Sequence, residues 1–233
     1  VLNLDAGDPR SYPSSGTTWT DLSGNGNNGT NNLVTYSNAS GGVLIYNGTD
    51  SRTSVPNSIS TLSFTNQITV SIICSSDGSS GYRSPLMKCS SNNWNDGFGF
   101  WQYSGQFGFF VNLWDGTGSV TYDISSFGLT HWVGTYDGNF IRLYRNGSLV
   151  GTSAAFTQNI NNSSASLYIG AGGGSGDYNW DGDILSAQIH NRALSAAEVA
   201  QNYDSLRVRY GTYTNTFTPI CAGGEGKVEV LCV

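Results

Sequence analysis

"RALSAAEVAQNYDSLRVRYG", residues 192–211, differs from everything that precedes it. It announces a helix. Ser195 is placed as N-cap and Glu198 stands three residues on, the reciprocal pairing of a capping box. Leu194 and Val199 occupy the two positions of a hydrophobic staple, and Val199, Tyr203 and Leu206 continue a single apolar stripe. Gly211 can end the helix in a left-handed turn. A helix with one apolar face has to lie against a partner, and the rest of the chain supplies only strands.

Those strands read as "GVLIYNG", "QITVSIICSS", "FGFWQY", "QFGFFVNLW", "SVTYDI", "HWVGTYDG", "FIRLYRNG", "SLVGTSA", "SLYIGA" and "DILSAQIH". Most alternate apolar and polar residues, so each buries one face and wets the other. Asn146-Gly147, between "IRLYR" and "SLVGT", suits a two-residue hairpin turn in which both positions take positive φ. About a dozen such strands favour an all-β, two-sheet antiparallel sandwich over a closed barrel. Glycine is abundant (31 of 233 residues), aromatics reach 12 % and charged residues only 11 %, a profile of short strands and tight turns.

One domain over residues 1–211 and a tail over 212–233 is the economical division. The tail, "TYTNTFTPICAGGEGKVEVLCV", reads as a contact arm for a neighbouring subunit, which would make a homo-oligomer, or as the start of another module. A net charge of −6 argues against a nucleic-acid partner, because phosphate backbones demand clustered cations. No run approaches the ~20 apolar residues needed to span a bilayer. "VLNLDAGDP" at the start reads directly as strand and turn, with no secretory signal, and Val at position 1 suggests processing or a fragment of a longer polypeptide.

Cys74, Cys89, Cys221 and Cys232 lack the close spacing of a zinc site. Two local disulfides, 74 with 89 and 221 with 232 in a hairpin, stand against the alternative of buried thiols. Asn-x-Ser/Thr acceptor patterns, among them those at Asn28, Asn38, Asn47, Asn146 and Asn161, follow from composition and mark turns.

The order of segments "WTDLSGNGNNGT", "LIYNGTDSRTSVPNS", "HWVGTYDGNFIRLYRNGSLVGT" and "LYIGA...WDGDILSAQIHNRALSAAEVAQNY" resembles the laminin-G-like, concanavalin A-like jelly-roll domains over residues 1–211. That resemblance implies a jelly-roll sandwich closed by a short C-terminal helix beside the end of the sandwich. The version carrying "NRALSAAEVAQNYDSLRVRYG" is similar to domains of bacteriophage structural proteins: fibres, tail parts and capsid decorations that bind glycans or neighbouring virion proteins. A virion surface is the implied location, with a secreted, extracellular carbohydrate-binding module as the alternative. Many relatives carry an Asp-Glu pair in the last strand where this chain has Leu185 and Ser186, so no role of that pair transfers.

Catalysis is not expected, a glycoside hydrolase of the same fold, working through a pair of aspartates, being the lesser alternative. Glycosidases of this fold need two carboxylates facing each other across the scissile bond, and the three glutamates, 198, 225 and 229, all lie outside the sandwich strands. His131 and His190 read as structural histidines, and no nucleophile elbow or phosphate loop is present. For a metal, "DLSGNGNNG" collects Asp21, Asn25, Asn27 and Asn28, hard oxygen donors suited to Ca2+. The resemblance implies a calcium site at the sandwich rim, completed by Asp181 or Asp183 if the two chain ends meet there; an Asx-turn loop holding no ion is the other reading. For a ligand, "NNWNDGFGFWQYSGQFGFFVNLWDGTG" places Trp94, Trp101, Tyr103 and Trp114 beside Asn92, Asn95, Asp96, Asn112 and Asp115. Aromatic rings receive the C–H faces of sugars while amides and carboxylates bind their hydroxyls. Alternation sends about half of these residues to the core, and Trp94 and Trp114, flanked by loop residues, are the expected exposed pair.

Overall fold

The computed structural model describes residues 1–210 apart from 58–59, 79–80, 91–93 and 174–176. Among these residues the strands are β1 (Leu2–Asp5), β2 (Thr18–Trp19), β3 (Gly29–Asn32), β4 (Thr35–Ser37), β5 (Val43–Asn47), β6 (Arg52–Val55), β7 (Ile68–Ser76) and β8 (Leu86–Lys88). They continue with β9 (Phe98–Tyr103), β10 (Gln106–Val111), β11 (Ser119–Asp123), β12 (Phe127–Tyr136), β13 (Ile141–Arg145), β14 (Ser148–Thr152), β15 (Leu167–Ile169) and β16 (Asp181–His190), and the helix α1 covers Ala196–Tyr210. One sheet runs β14-β13-β12-β7-β16-β5-β4, with β1 also paired to β16; the other runs β11-β10-β9-β8-β15-β6-β3-β2. Every pairing is antiparallel. The expected jelly-roll sandwich is what the chain forms.

Alternation sorts each strand's side chains between the two layers. Ile68, Val70, Ile72 and Cys74 of β7, Trp132 and Tyr136 of β12, and Phe98, Phe100, Phe107 and Phe109 of β9 and β10 meet in one core. Phenylalanine rings from one sheet need room in the other, and Gly134 of β12 provides it: a Cβ there would lie 2.2 Å from Cγ of Phe109. The Asn146-Gly147 turn takes the expected form, with φ of 49° and 79° and Arg145 paired to Ser148 across it. The strands that the sequence conceals are short and polar. Thr53 of β6 and Asn31 of β3 are buried, and they are admissible there because Thr53 Oγ1 bonds both Asn31 Oδ1 (2.5 Å) and the Tyr46 hydroxyl (2.7 Å).

The capping box of α1 is in place: the Ser195 amide donates to Glu198 Oε2 at 2.8 Å and the Glu198 amide to Ser195 Oγ at 3.3 Å. The expected seat of the helix needs correction. It lies across the outer face of the first sheet, not beside the end of the sandwich. Leu194 and Val199 pack on Val133 of β12 and Tyr144 of β13, whereas Leu206 and Tyr210 reach Val43 of β5, Ile73 of β7 and Leu185 of β16. Fifteen residues span roughly 22 Å, and the four strand spacings from β13 to β5 span about 19 Å, so the helix is as long as the surface it covers. At its far end Arg209 grips Asp5 through two bonds, of 2.6 and 2.8 Å. Gly211 and the tail lie outside the described residues.

Beneath α1 sits His131, 1 % exposed, its Nε2 2.8 Å from Ser71 Oγ and its ring parallel to that of Tyr203. Burial holds its pKa down, to about 4, and desolvation lowers that of His190 too. His131 is thus part of the packed seat of the helix.

Two outcomes follow from this packing. Gly134→Ala should destabilise the sandwich by about 1–3 kcal/mol through overpacking against Phe109, read as a lower urea midpoint. As pH falls from about 6.5 towards 4, the unfolded chain protonates the imidazole of residue 131 while the folded chain does not. Stability is therefore full above that window and declines through it, by up to about 3 kcal/mol from His131; urea titrations of His131→Gln should show a shallower decline than the wild type.

Candidate functional site

The second sheet turns its other face outward, and that face is aromatic. Trp101 and Tyr103 of β9 and Phe110 of β10 point away from the core that Phe98, Phe100, Phe107 and Phe109 fill. The Trp101 indole lies over Gly108, where a Cβ would come within 2.6 Å of it. Trp94 stacks on Phe110 at 5.9 Å between centroids, and the edge of Trp114 meets Tyr82, Trp94 and Trp101 at 5.8, 5.8 and 6.0 Å. Two residues that the sequence reading left out complete the group. Tyr82 stacks on Tyr103 at 3.9 Å with planes 9° apart, and Tyr178 stands perpendicular to Trp94 at 5.0 Å. Both sit in glycine-rich connections, "GYR" and "GDYNW", that carry no strand periodicity.

Exposure within this group departs from expectation. Trp94 is buried, at 2 %, with a left-handed φ of 48° that turns it inward under the loop. Trp101 is buried and Trp114 half-buried. The ring presented to solvent is Tyr103, 40 % exposed, backed by the half-buried Tyr82. Burial and the neighbouring Tyr103 raise the Tyr82 pKa, and burial, Asp177, Tyr82 and Cys89 raise that of Tyr178.

The polar candidates divide the same way. Asn112 is buried and holds loops together: its Nδ2 donates to the Asn159 carbonyl at 2.9 Å and its Oδ1 accepts the Asn161 amide at 2.7 Å. Asp96, also buried, accepts the amide and the hydroxyl of Ser90. Those two are loop clamps. Asn95 and Asp115 are exposed at the rim, and Asn92 lies outside the described residues. A third clamp gave no signal in the sequence: Lys88, 1 % exposed, donates to Asn57 Oδ1 (2.7 Å) and to the carbonyls of Ser163 (2.6 Å) and Ala165 (2.8 Å). Burial lowers its pKa, to about 8.

The residues expected around Ca2+ do not converge. Asp21 Oδ1 accepts the amides of Asn3 and Ser23, both at 2.9 Å, and Oδ2 accepts the Ser23 hydroxyl (2.8 Å) and the Asn27 amide (3.0 Å). Asn25 and Asn27 donate to the Val1 carbonyl at 3.3 and 2.8 Å, and Asn28 Oδ1 accepts the Asp21 amide at 2.9 Å. This is the Asx-turn arrangement, in which the carboxylate's lone pairs are taken by N–H and O–H donors. Asp181 and Asp183 are remote from it. Asn3 pairs with Gln188, and Asp183 lies five residues further along β16, about 17 Å at strand rise. Asp183 instead has a raised pKa, through burial and the charge of Asp77. Among the described residues no group of three or more His, Cys, Asp or Glu side chains could hold a metal ion.

Cys74 and Cys89 are not joined. Cys74 is a buried thiol of β7 in the main core, while Cys89 follows β8 in the other sheet and belongs to the outer aromatic group. Strands in different layers cannot bring their Cα atoms to disulfide range with side chains directed apart. Cys221 and Cys232 lie outside the described residues.

A two-sheet jelly roll with one sheet's outer face under a helix and the other's lined by aromatic rings defines the structural class. The chain belongs to the concanavalin A-like lectin/glucanases superfamily, whose laminin G family model matches residues 47–200. No curated protein matches it by sequence. Among solved structures it is similar to domain 4 of AbnA, an extracellular arabinanase of Geobacillus stearothermophilus solved with arabinotriose, at 18 % identity and TM-score 0.60, over 86 % of this chain and 96 % of that one. It is also similar to the ligand binding domain of botulinum neurotoxin serotype D solved with N-acetylneuraminic acid, at 15 % identity and TM-score 0.64, over 88 % of this chain and 50 % of that one. The binding domain of botulinum neurotoxin DC with rat synaptotagmin II gives 14 % identity and TM-score 0.64, over 88 % and 51 %. The chain thus spans about half the length of the toxin domains it matches, and the likeness is one of fold.

One outcome tests the loop assignment. Asp21→Asn replaces an acceptor oxygen with an NH2 group facing donors, so it should destabilise the protein by about 1–3 kcal/mol, equally in calcium and in chelator, read by urea titration.

Proposed function

We propose that the chain is a non-catalytic glycan-binding module whose ligand lies on the stacked Tyr82–Tyr103 pair, flanked by Trp114 and Tyr178. The observation that carries this reading is that stack itself: two parallel rings, one of them 40 % exposed, on a floor of buried tryptophans. A pyranose or furanose presents C–H groups to such a ring, and the phenol hydroxyls and Asp115 supply the donors and acceptors that sugar hydroxyls need. The AbnA and serotype D domains, solved with arabinotriose and N-acetylneuraminic acid, support a sugar as ligand.

Catalysis has no part in this reading. Glu198, the one glutamate among the described residues, is held in the capping box and by Arg192 at 2.7 Å. The setting we propose is a virion surface, as a fibre, tail or capsid decoration protein gripping host glycans or neighbouring subunits. It rests on the resemblance of residues 191–211 to bacteriophage structural proteins. A second reading, a carbohydrate-binding module of a secreted bacterial hydrolase, is favoured by the near-complete coverage of the arabinanase domain. Capsid genes or hydrolase genes beside the coding sequence decide between them.

Tyr103→Ala and Trp114→Ala test the site on a glycan array. Loss of one stacking contact, about 1.4 kcal/mol, corresponds to tenfold weaker binding. Tyr103→Ala, at an exposed position, should leave the melting temperature within a degree or two. Glycan binding unchanged in both variants would place the ligand elsewhere.

A further inference from the structure

The ten cationic side chains of this chain can be followed one by one, and their placement bears on which glycan the aromatic face admits. Arg10, Arg142, Arg192, Arg207 and Arg209 are paired with Asp8, Asp137, Glu198, Asp204 and Asp5. Arg145, on β13 of the opposite sheet, lies over the rings of Tyr122 and Trp132 at 5.7 and 5.8 Å. Arg52 is on β6, four strands from β10 across the second sheet. Lys88 is enclosed by three acceptors, and Lys227 lies outside the described residues. The cation next in sequence to the tyrosine stack, Arg83, directs its Nη1 to the carbonyls of Gly48 and Asn179. Carboxylates, by contrast, stand at the rim: Asp115 is exposed beside Trp114, and Asp177 is exposed beside Tyr178.

Resting on the glycan-binding reading above, we propose that this face is selective for uncharged glycans and excludes those bearing sialic or uronic acid carboxylates. The sugar rings of both kinds stack equally well, because stacking uses C–H faces. The difference lies in the carboxylate. On this face it stands on the side of the exposed rim carboxylates Asp115 and Asp177, with charges interacting over ~8 Å at physiological salt, and it must give up water where, among the described residues, the cation next to the stack, Arg83, is already held by the Gly48 and Asn179 carbonyls. Burial first raises both phenol pKa values, with Tyr103 adding to the rise at Tyr82 and Asp177 to that at Tyr178. Neutral hexoses and pentoses meet no such penalty, since their hydroxyls donate to carboxylate and phenol oxygens alike.

The test is an array holding matched neutral and acidic members, lactose with 3′-sialyllactose and arabino-oligosaccharides with oligogalacturonates, probed with the full chain at 50 and 300 mM salt. Expected is binding confined to neutral members, with an acidic partner at least tenfold weaker at low salt and the gap shrinking at high salt. In Asp115→Asn the gap should narrow at least threefold at low salt. Acidic members bound as well as or better than their neutral partners would overturn the inference while leaving glycan binding intact. An unchanged gap in Asp115→Asn would also overturn it, since the discrimination would not come from the rim charge. Silence across both sets would remove the glycan-binding reading itself, and this inference with it.

Discussion

The contact of Phe109 with Gly134 sets the terms for the molecule. Four phenylalanines on the inner face of one sheet have to interlock with the other: Phe109 enters the space left by Gly134, while Phe107 stacks on Trp132 at 4.4 Å. Interiors are packed at crystal density, so this interlock decides which residues of every strand are inside. It thereby decides which are outside. Along β9 and β10, each inward phenylalanine sends its sequence neighbour to the opposite face: Trp101, Tyr103 and Phe110 become surface residues because Phe100, Phe107 and Phe109 are core residues.

A sandwich leaves two outer faces, and this chain treats them differently. Val133, Tyr144, Ile73, Leu185 and Val43 make the first one apolar, and α1 covers them with a stripe of matching length. The polar groups on that face are accommodated locally: Thr69 accepts the Leu194 amide and donates to the Arg192 carbonyl, and Ser71 meets His131. Among the described residues the second outer face carries no helix. Its apolar surface is covered partly by its own rings, which pack edge to face and leave the Tyr82–Tyr103 stack as the open part. A face that is apolar and, among the described residues, partly open is suited to a ligand with a flat hydrocarbon side and a polar perimeter.

Polar residues around the rim serve mainly to hold loops. Asp21, Asp96, Asn112 and Lys88 each satisfy several backbone groups that burial would otherwise leave unpaired. The same side chains look like metal or sugar ligands in a sequence, because amides and carboxylates in glycine-rich loops serve both purposes. What separates the uses is whether the lone pairs are already occupied by donors of the same chain.

The sequence alone determined the layered all-β class, the hairpin at Asn146-Gly147 and the capped helix, because these depend on alternation, turn chemistry and spacings within a few residues. It also identified the aromatic stretch around residues 92–118 as the region of interest. Only the tertiary structure decided which of those aromatics face outward, since alternation gives two faces without saying which is the core. Packing of β9 and β10 on the first sheet was needed to turn Tyr103 outward, the left-handed loop position to bury Trp94, and chain crossings far apart in sequence to bring Tyr82 and Tyr178 alongside. Likewise the oxygens of Asp21 and the carboxylate of Asp183 could be supposed neighbours until β1 was seen to pair with the distant end of β16. Distances between residues remote along the chain are set by sheet order, and sheet order is a property of the packed whole.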